Sequence, residues 1–236
     1  MHGLISSQEV LERWIRELGF LPFFSNRIEG FSIEEHTPEE LWFNDEHPGP
    51  WEWKGPVIGN WESAYGKFFE KKAGFVSLEW FPDFMNWRRS KFPLKKLGEE
   101  PRHILEVLRG CESALSKELK AKSGYSLARK RTKFNPDNPL EPIVNRHNGA
   151  DFDKLINELQ MGTWVCIADF EYLFSKKGER YGWGVARYCT PEAMYDINVQ
   201  QRVEGRTPQQ SLERIVQHLL SVLPEATEGQ VRKLLG

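Results

Sequence analysis

Trp51 and Trp53 alternate with Glu52 and Lys54, so an extended backbone would put both indoles on one face and both charges on the other. Tyr65, Lys67, Lys71, Lys72, Arg88 and Arg89 follow within the next few dozen residues. An aromatic floor lined by Trp51, Trp53 and Tyr65, with a cationic rim of Lys54, Lys67, Arg88 and Arg89, is the chemistry that stacks bases and pairs phosphates. Glu52 and Glu62 could serve such a cleft as a general acid or base if they were buried in it. The competing reading is a tryptophan-filled core with ordinary surface lysines, because aromatics at alternating or helical spacing usually pack inward.

A second cationic feature is the run Arg129, Lys130, Arg131 and Lys133. Counted from Lys122 to Arg146, its stretch carries a local excess of four positive charges. The six histidines stand in no serine, cysteine or acid constellation. Cys111, Cys166 and Cys189 are odd in number, far apart and without a metal-ligand spacing, which argues against a disulfide scaffold and a zinc site. No metal and no cofactor is expected.

The chain of 236 residues is 39% hydrophobic, enough for a sizeable core, and its formal net charge of −2 gives no overall bias towards a polyanion. Any such partner must be met by a local patch. No apolar run reaches membrane-spanning length and no signal-like N-terminus is present, so no membrane association and a cytoplasmic, reducing location are expected. Oligomeric state is not legible.

The elements that must position these residues can be read from the periodicity. Val10, Leu11, Trp14, Ile15 and Leu18 fall at helical spacing between a serine cap and Gly19. Phe20 to Phe24 suits a buried turn or short strand, and Thr37 to Glu40 a helix start. Lys67 to Phe69 reads as a strand, followed by a glycine turn and a helix from a Ser77 cap through Arg89. Pro101 to Lys120 gives two short helices joined at Cys111 to Ser113, and a third helix runs from Asp151 to about Met161. Strands at Trp164 to Ala168 and Tyr181 to Tyr188 flank a polar turn. Helices from Pro208 to Leu223 and up to Leu235 close the chain. Helix, turn, helix, loop, helix and hairpin is the order of a winged-helix module, in which the third helix enters the major groove.

The segment Gly66-Lys67-Phe68-Phe69-Glu70, continuing through Ser77-Leu78-Glu79-Trp80-Phe81-Pro82 to Arg88-Arg89, resembles a phrase of the AlkZ-type winged-helix DNA glycosylases. The resemblance extends to Gly182-Trp183 and to Leu18-Gly19-Phe20-Leu21, covering Leu4 to Asp196. It implies tandem winged helices and a role on DNA carrying bulky alkylated or crosslinked bases. The family's catalytic glutamine motif corresponds here to Pro22-Phe23-Phe24, where Pro22 and Phe24 offer no side-chain donor or acceptor to a water or a developing oxocarbenium ion. Lys72 stands where the family phrase has a histidine, and the chain is shorter than the usual three-module proteins.

The fold class expected is therefore α+β, mainly α, with tandem winged-helix-like modules carrying short β-hairpins. The divisions are an N-terminal winged-helix-like region at 1–98, a winged-helix domain at 99–200 and a helical segment at 201–236. The function expected is binding of double-stranded DNA, or a similar polyanion, without the known glycosylase motif. The residues assigned to it are Trp51, Trp53, Lys54, Tyr65, Lys67, Arg88, Arg89, Arg129, Lys130, Arg131 and Lys133. Two alternatives stand beside it: a glycosylase acting on alkylated bases through Glu52 or Glu62, and a non-catalytic protein-interaction module.

Overall fold

The computed structural model describes residues 3–43, 47–125, 149–174, 178 and 180–236. Helix α1 spans Gln8–Leu18. The Ser7 side chain accepts from the Val10 N–H to start it, Gly19 at φ 74° ends it, and Leu11, Trp14, Ile15 and Leu18 form its buried face. Strand β1 (Phe20–Pro22) and the short α2 (Ile33–His36) follow. Helix α3 (Pro50–Gly59) begins at Pro50, whose missing N–H and fixed φ suit a first turn. Trp51 and Trp53 therefore lie on a helix and not on an extended strand. The turn cluster at 47–50 launches a helix that the alternation concealed.

Strands β2 (Ser63–Phe69) and β3 (Lys72–Ser77) form an antiparallel hairpin, and β1 pairs with β3 through Phe20↔Val76 and Leu21↔Phe75. The turn between them is Glu70-Lys71, both left-handed at φ 49° and 67°, the backbone of a two-residue hairpin turn. The expected glycine turn is not there. Gly74 sits inside β3, where a Cβ would come within 2.8 Å of the Leu21 carbonyl oxygen, so the glycine permits close strand approach. Ser77 ends that strand, and the helix expected from it, α4, starts later, at Phe81–Lys91.

The same order then repeats. Helix α5 (Glu99–Arg109), strand β4 (Ala114–Leu115), helix α6 (Ser116–Lys122), helix α7 (Gly149–Met161) and strands β5 (Cys166–Phe174) and β6 (Arg180–Cys189) mirror α1, β1, α2, α3, β2 and β3. Ala114 and Leu115, expected in a helix, form the strand that pairs with β6, as β1 pairs with β3. The sheet order β1-β3-β2-β5-β6-β4 is symmetric about its middle, where β2 meets β5 antiparallel at Tyr65↔Ile167. Helix α3 packs on β5 and α7 packs on β2, so each half lays its third helix against the other half's central strand. The two hairpins expected as separate wings are joined in one six-stranded sheet.

Helices α8 (Pro191–Tyr195), α9 (Val199–Arg202), α10 (Pro208–Val222) and α11 (Glu228–Leu235) complete the chain. Capping boxes at Thr207 and Thr227 start the last two. Helix α10 packs on α4, and one apolar core runs from Ile5 to Leu235. Among the described residues, no helix is long and apolar enough to cross a membrane.

Candidate nucleic-acid interface

The aromatic residues expected to floor a cleft converge, but on a closed cluster. Phe23, fully buried at the end of β1, has ring centroids 5.3 Å from Trp51, 5.7 Å from Trp42 and 6.2 Å from Tyr65. Tyr65 packs further against Phe75 at 4.6 Å and Phe170 at 5.9 Å. Tyr65 and Trp53 are 3% and 5% exposed, so neither offers a face to a base in this conformation. Trp51 is half-buried. Burial, with the neighbouring Tyr172 as a lesser cause, pushes the Tyr65 hydroxyl well above the usual phenol range. Phe23 and Phe24, which follow β1, thus contribute to a closed aromatic cluster.

The expected cationic rim divides between elements. Lys54 is buried, and its Nζ lies 4.1 Å from the Phe170 centroid and 4.9 Å from that of Trp51, a cation–π pairing inside the α3–β5 contact. Lys67 is half-buried on β2, and its backbone N–H donates to Gln160 Oε1 at 3.0 Å. Arg88 is 1% exposed. Its Nε donates to the Met161 carbonyl at 2.6 Å and its Nη1 to that of Leu235 at 2.7 Å, which makes it a clamp between α4, α7 and α11. Burial lowers its pKa to about 10, so it stays charged at neutral pH but is not placed to meet a phosphate.

Arg89 is the rim residue that borders open space. It lines a concavity of about 550 Å³ with Asn86, Trp164, Glu192, Asp196 and Asn198. Its guanidinium stacks 4.1 Å over Trp164, pairs with Glu192 at 2.5 Å and donates to the Thr163 carbonyl at 3.0 Å. Arg129, Lys130, Arg131 and Lys133 lie outside the described residues.

The two candidate acids have structural partners. Glu52 Oε2 accepts from the Gly49 N–H at 3.0 Å, capping α3, while the residue also borders an open depression of about 420 Å³ beside Trp53 and Pro56. Glu62 is exposed and pairs with Arg16 at 3.0 Å. The cavity beside it holds about 30 Å³, the share of a single water molecule and not of a base. The structure does not bring Glu52 and Glu62 into one site.

Several polar arrangements leave no trace in linear spacing. Asp83, on α4 and only 2% exposed, receives Arg206 Nε at 2.9 Å, Arg214 Nη1 at 2.5 Å and Ser211 Oγ at 2.6 Å. Trp80 has the Arg214 guanidinium over its ring at 4.2 Å and stacks with the His218 ring at 4.1 Å, and His218 Nε2 meets the Leu18 carbonyl at 2.9 Å. Partners more than 120 residues apart cannot be paired from one sequence. One acid, Asp83, among the aromatic residues of α4 was the available signal.

Fold and site together define a class: a mixed α+β protein of two like-ordered halves sharing one antiparallel sheet, whose candidate carboxylates hold structural positions. The chain belongs to the AlkZ-related family, whose sequence pattern it matches over residues 5–236. No curated protein and no solved structure matches it.

Proposed function

We propose that this chain is a tandem winged-helix protein of the AlkZ-related family that binds double-stranded DNA and has a place in DNA repair without excising bases. The observation that carries the reading is the repeated α-β-α-α-β-β order, with the first strand of each half paired to its third. That is the winged-helix sequence of elements, and it supports division into units at 1–98, 99–200 and the helical 201–236. The DNA-contacting charge is assigned to the basic run Arg129, Lys130, Arg131 and Lys133, supported at the folded surface by Lys67 and Arg89. Trp51 contributes from its half-exposed edge. Trp53, Tyr65, Lys54 and Arg88 build the scaffold beneath.

Loss of catalysis follows from side-chain chemistry. Pro22 and Phe24 carry no side-chain group able to hold a water, and the Phe23 ring between them in sequence packs on Trp42, Trp51 and Tyr65. Excision through Glu52 is the second reading, favoured by the depression that this residue borders.

Fluorescence anisotropy with a labelled duplex across a salt series tests the proposal. Log affinity falls linearly with log salt. The double charge reversal R129E/R131E weakens binding across all sequences and flattens that slope by about two, one for each phosphate that is no longer neutralised. Absence of duplex binding, or a slope unchanged in the variant, contradicts it.

A further inference from the structure

Cys166 and Cys189, far apart in the sequence, stand opposite one another on β5 and β6 with their Sγ atoms 3.4 Å apart. Met194 on α8 brings its Sδ to 3.5 Å from Cys189 Sγ. Both cysteines are free thiols, and the three residues are 0%, 2% and 8% exposed, with Met194 outermost. Their wide sequence separation carries no sign of this convergence. β5–β6 register fixes the two thiols, and the turn into α8 returns the thioether to them.

Among the described residues, no three His, Cys, Asp or Glu side chains gather as a metal-ligand group, so hard and borderline cations find no ready site there. Two thiols and a thioether are a different donor set, the soft one that selects monovalent copper over magnesium, calcium or manganese. We propose that Cys166, Cys189 and Met194 form a binding site for a soft monovalent cation, Cu(I), with the two thiolates as principal ligands and the thioether as the third. The exchange balances without redox chemistry. Two S–H bonds break and two protons leave to solvent, two Cu–thiolate bonds and one Cu–thioether bond form as the copper gives up its solution ligands, and the copper remains monovalent. The centre then carries a single negative charge where two bare thiolates would carry two.

Burial, and then the hydrogen bond with Cys189, holds the Cys166 thiol well above its ordinary range. A cation that replaces the protons removes half of the charge that two bare thiolates would carry. Glu192 opposes the anionic centre, less than burial does, and the Arg89 guanidinium favours it by less than Glu192 opposes it.

The test is anaerobic titration of the reduced full chain with the acetonitrile complex of Cu(I), with bicinchoninate as competing chelator. The chain is expected to retain one Cu(I) against the chelator, and X-ray absorption to show a sulfur-only coordination shell. C166S and C189S each abolish retention, M194L lowers affinity about tenfold, and C111S leaves it unchanged. Circular dichroism checks that each variant is folded. The X-ray absorption of the unsubstituted chain reads the ligand class without any variant, and the three cysteine variants read its position. No retained copper, retention that follows Cys111, or a shell containing nitrogen or oxygen overturns the proposal.

Discussion

Tyr65 on β2 stands directly opposite Ile167 on β5, and this pair is the seam at which the two three-stranded halves become one sheet. Both residues are buried, Tyr65 under the rings of Phe23, Phe75 and Phe170. Part of the aromatic segment, Trp51 and Tyr65, packs with Phe23 and Phe170 at the junction between halves.

Truncating the seam removes aromatic surface from a closed site that has no room to collapse. Tyr65→Ala is expected to destabilise the fold by about 3–5 kcal/mol, the range for deletion of a large core aromatic. Urea unfolding followed by tryptophan fluorescence measures it. A loss below about 1 kcal/mol would mean that Tyr65 lies in an open cleft after all.

The two candidate acids separate by stability. Glu52→Ala removes the α3 cap and should cost about 1 kcal/mol, whereas Glu62→Ala breaks one exposed pair with Arg16 and should cost about 0.5 kcal/mol or less. Thermal unfolding of the two variants side by side gives the comparison. Equal effects would contradict the assigned roles.

Asp83 ties α4 to α10 through Arg206, Arg214 and Ser211. Asp83→Asn leaves the Arg206 and Arg214 guanidiniums, 27% and 40% exposed, facing a buried neutral amide, with Glu204 still beside Arg206, and a loss of about 1–3 kcal/mol is expected. Paired urea titrations of parent and variant at low and high salt provide the check. A change within about 0.5 kcal/mol at both would show that the network contributes nothing.

Stability should fall in alkali. Burial raises Tyr65 and Tyr195 well above the ordinary phenol range and Tyr188 to about 12, Asp153 adding to the last and a hydrogen bond with Ser116 opposing it. A folded pKa raised above the unfolded one favours the protonated, folded form. The contribution is complete below the unfolded value of about 10 and is lost as pH rises from there through the folded value. Each such group steepens the decline by up to about 1.4 kcal/mol per pH unit. Urea midpoints between about pH 8 and 11.5 should drop above about pH 10, and Tyr188→Phe should flatten the drop. A curve that Tyr188→Phe leaves unaltered would refute the assignment.

Where periodicity had a single interpretation, the sequence was a sufficient guide. The α1 stripe, the third helix of the second half, both of its strands and the capped C-terminal helices lie close to where spacing places them. It misled at Trp51-Glu52-Trp53-Lys54, because four residues fit both a strand alternation and one turn of a helix. Only the Pro50 start and the Glu52 cap decide between them. The Glu70-Lys71 turn was hidden because neither residue is a glycine. The Asp83 network and the Cys166–Cys189 approach depend on strand register and helix packing, which no local pattern encodes.

The central claim is that this protein holds DNA without cutting a base from it, and one experiment reads both halves of that claim. A labelled duplex bearing a bulky alkylated base is incubated with excess protein, then divided between a binding assay and an alkali treatment that reveals abasic sites, with an active glycosylase as control. The predicted result is a retained duplex and no abasic product. Abasic product that disappears in Glu52→Gln, or a duplex that is never retained at low salt, would contradict it.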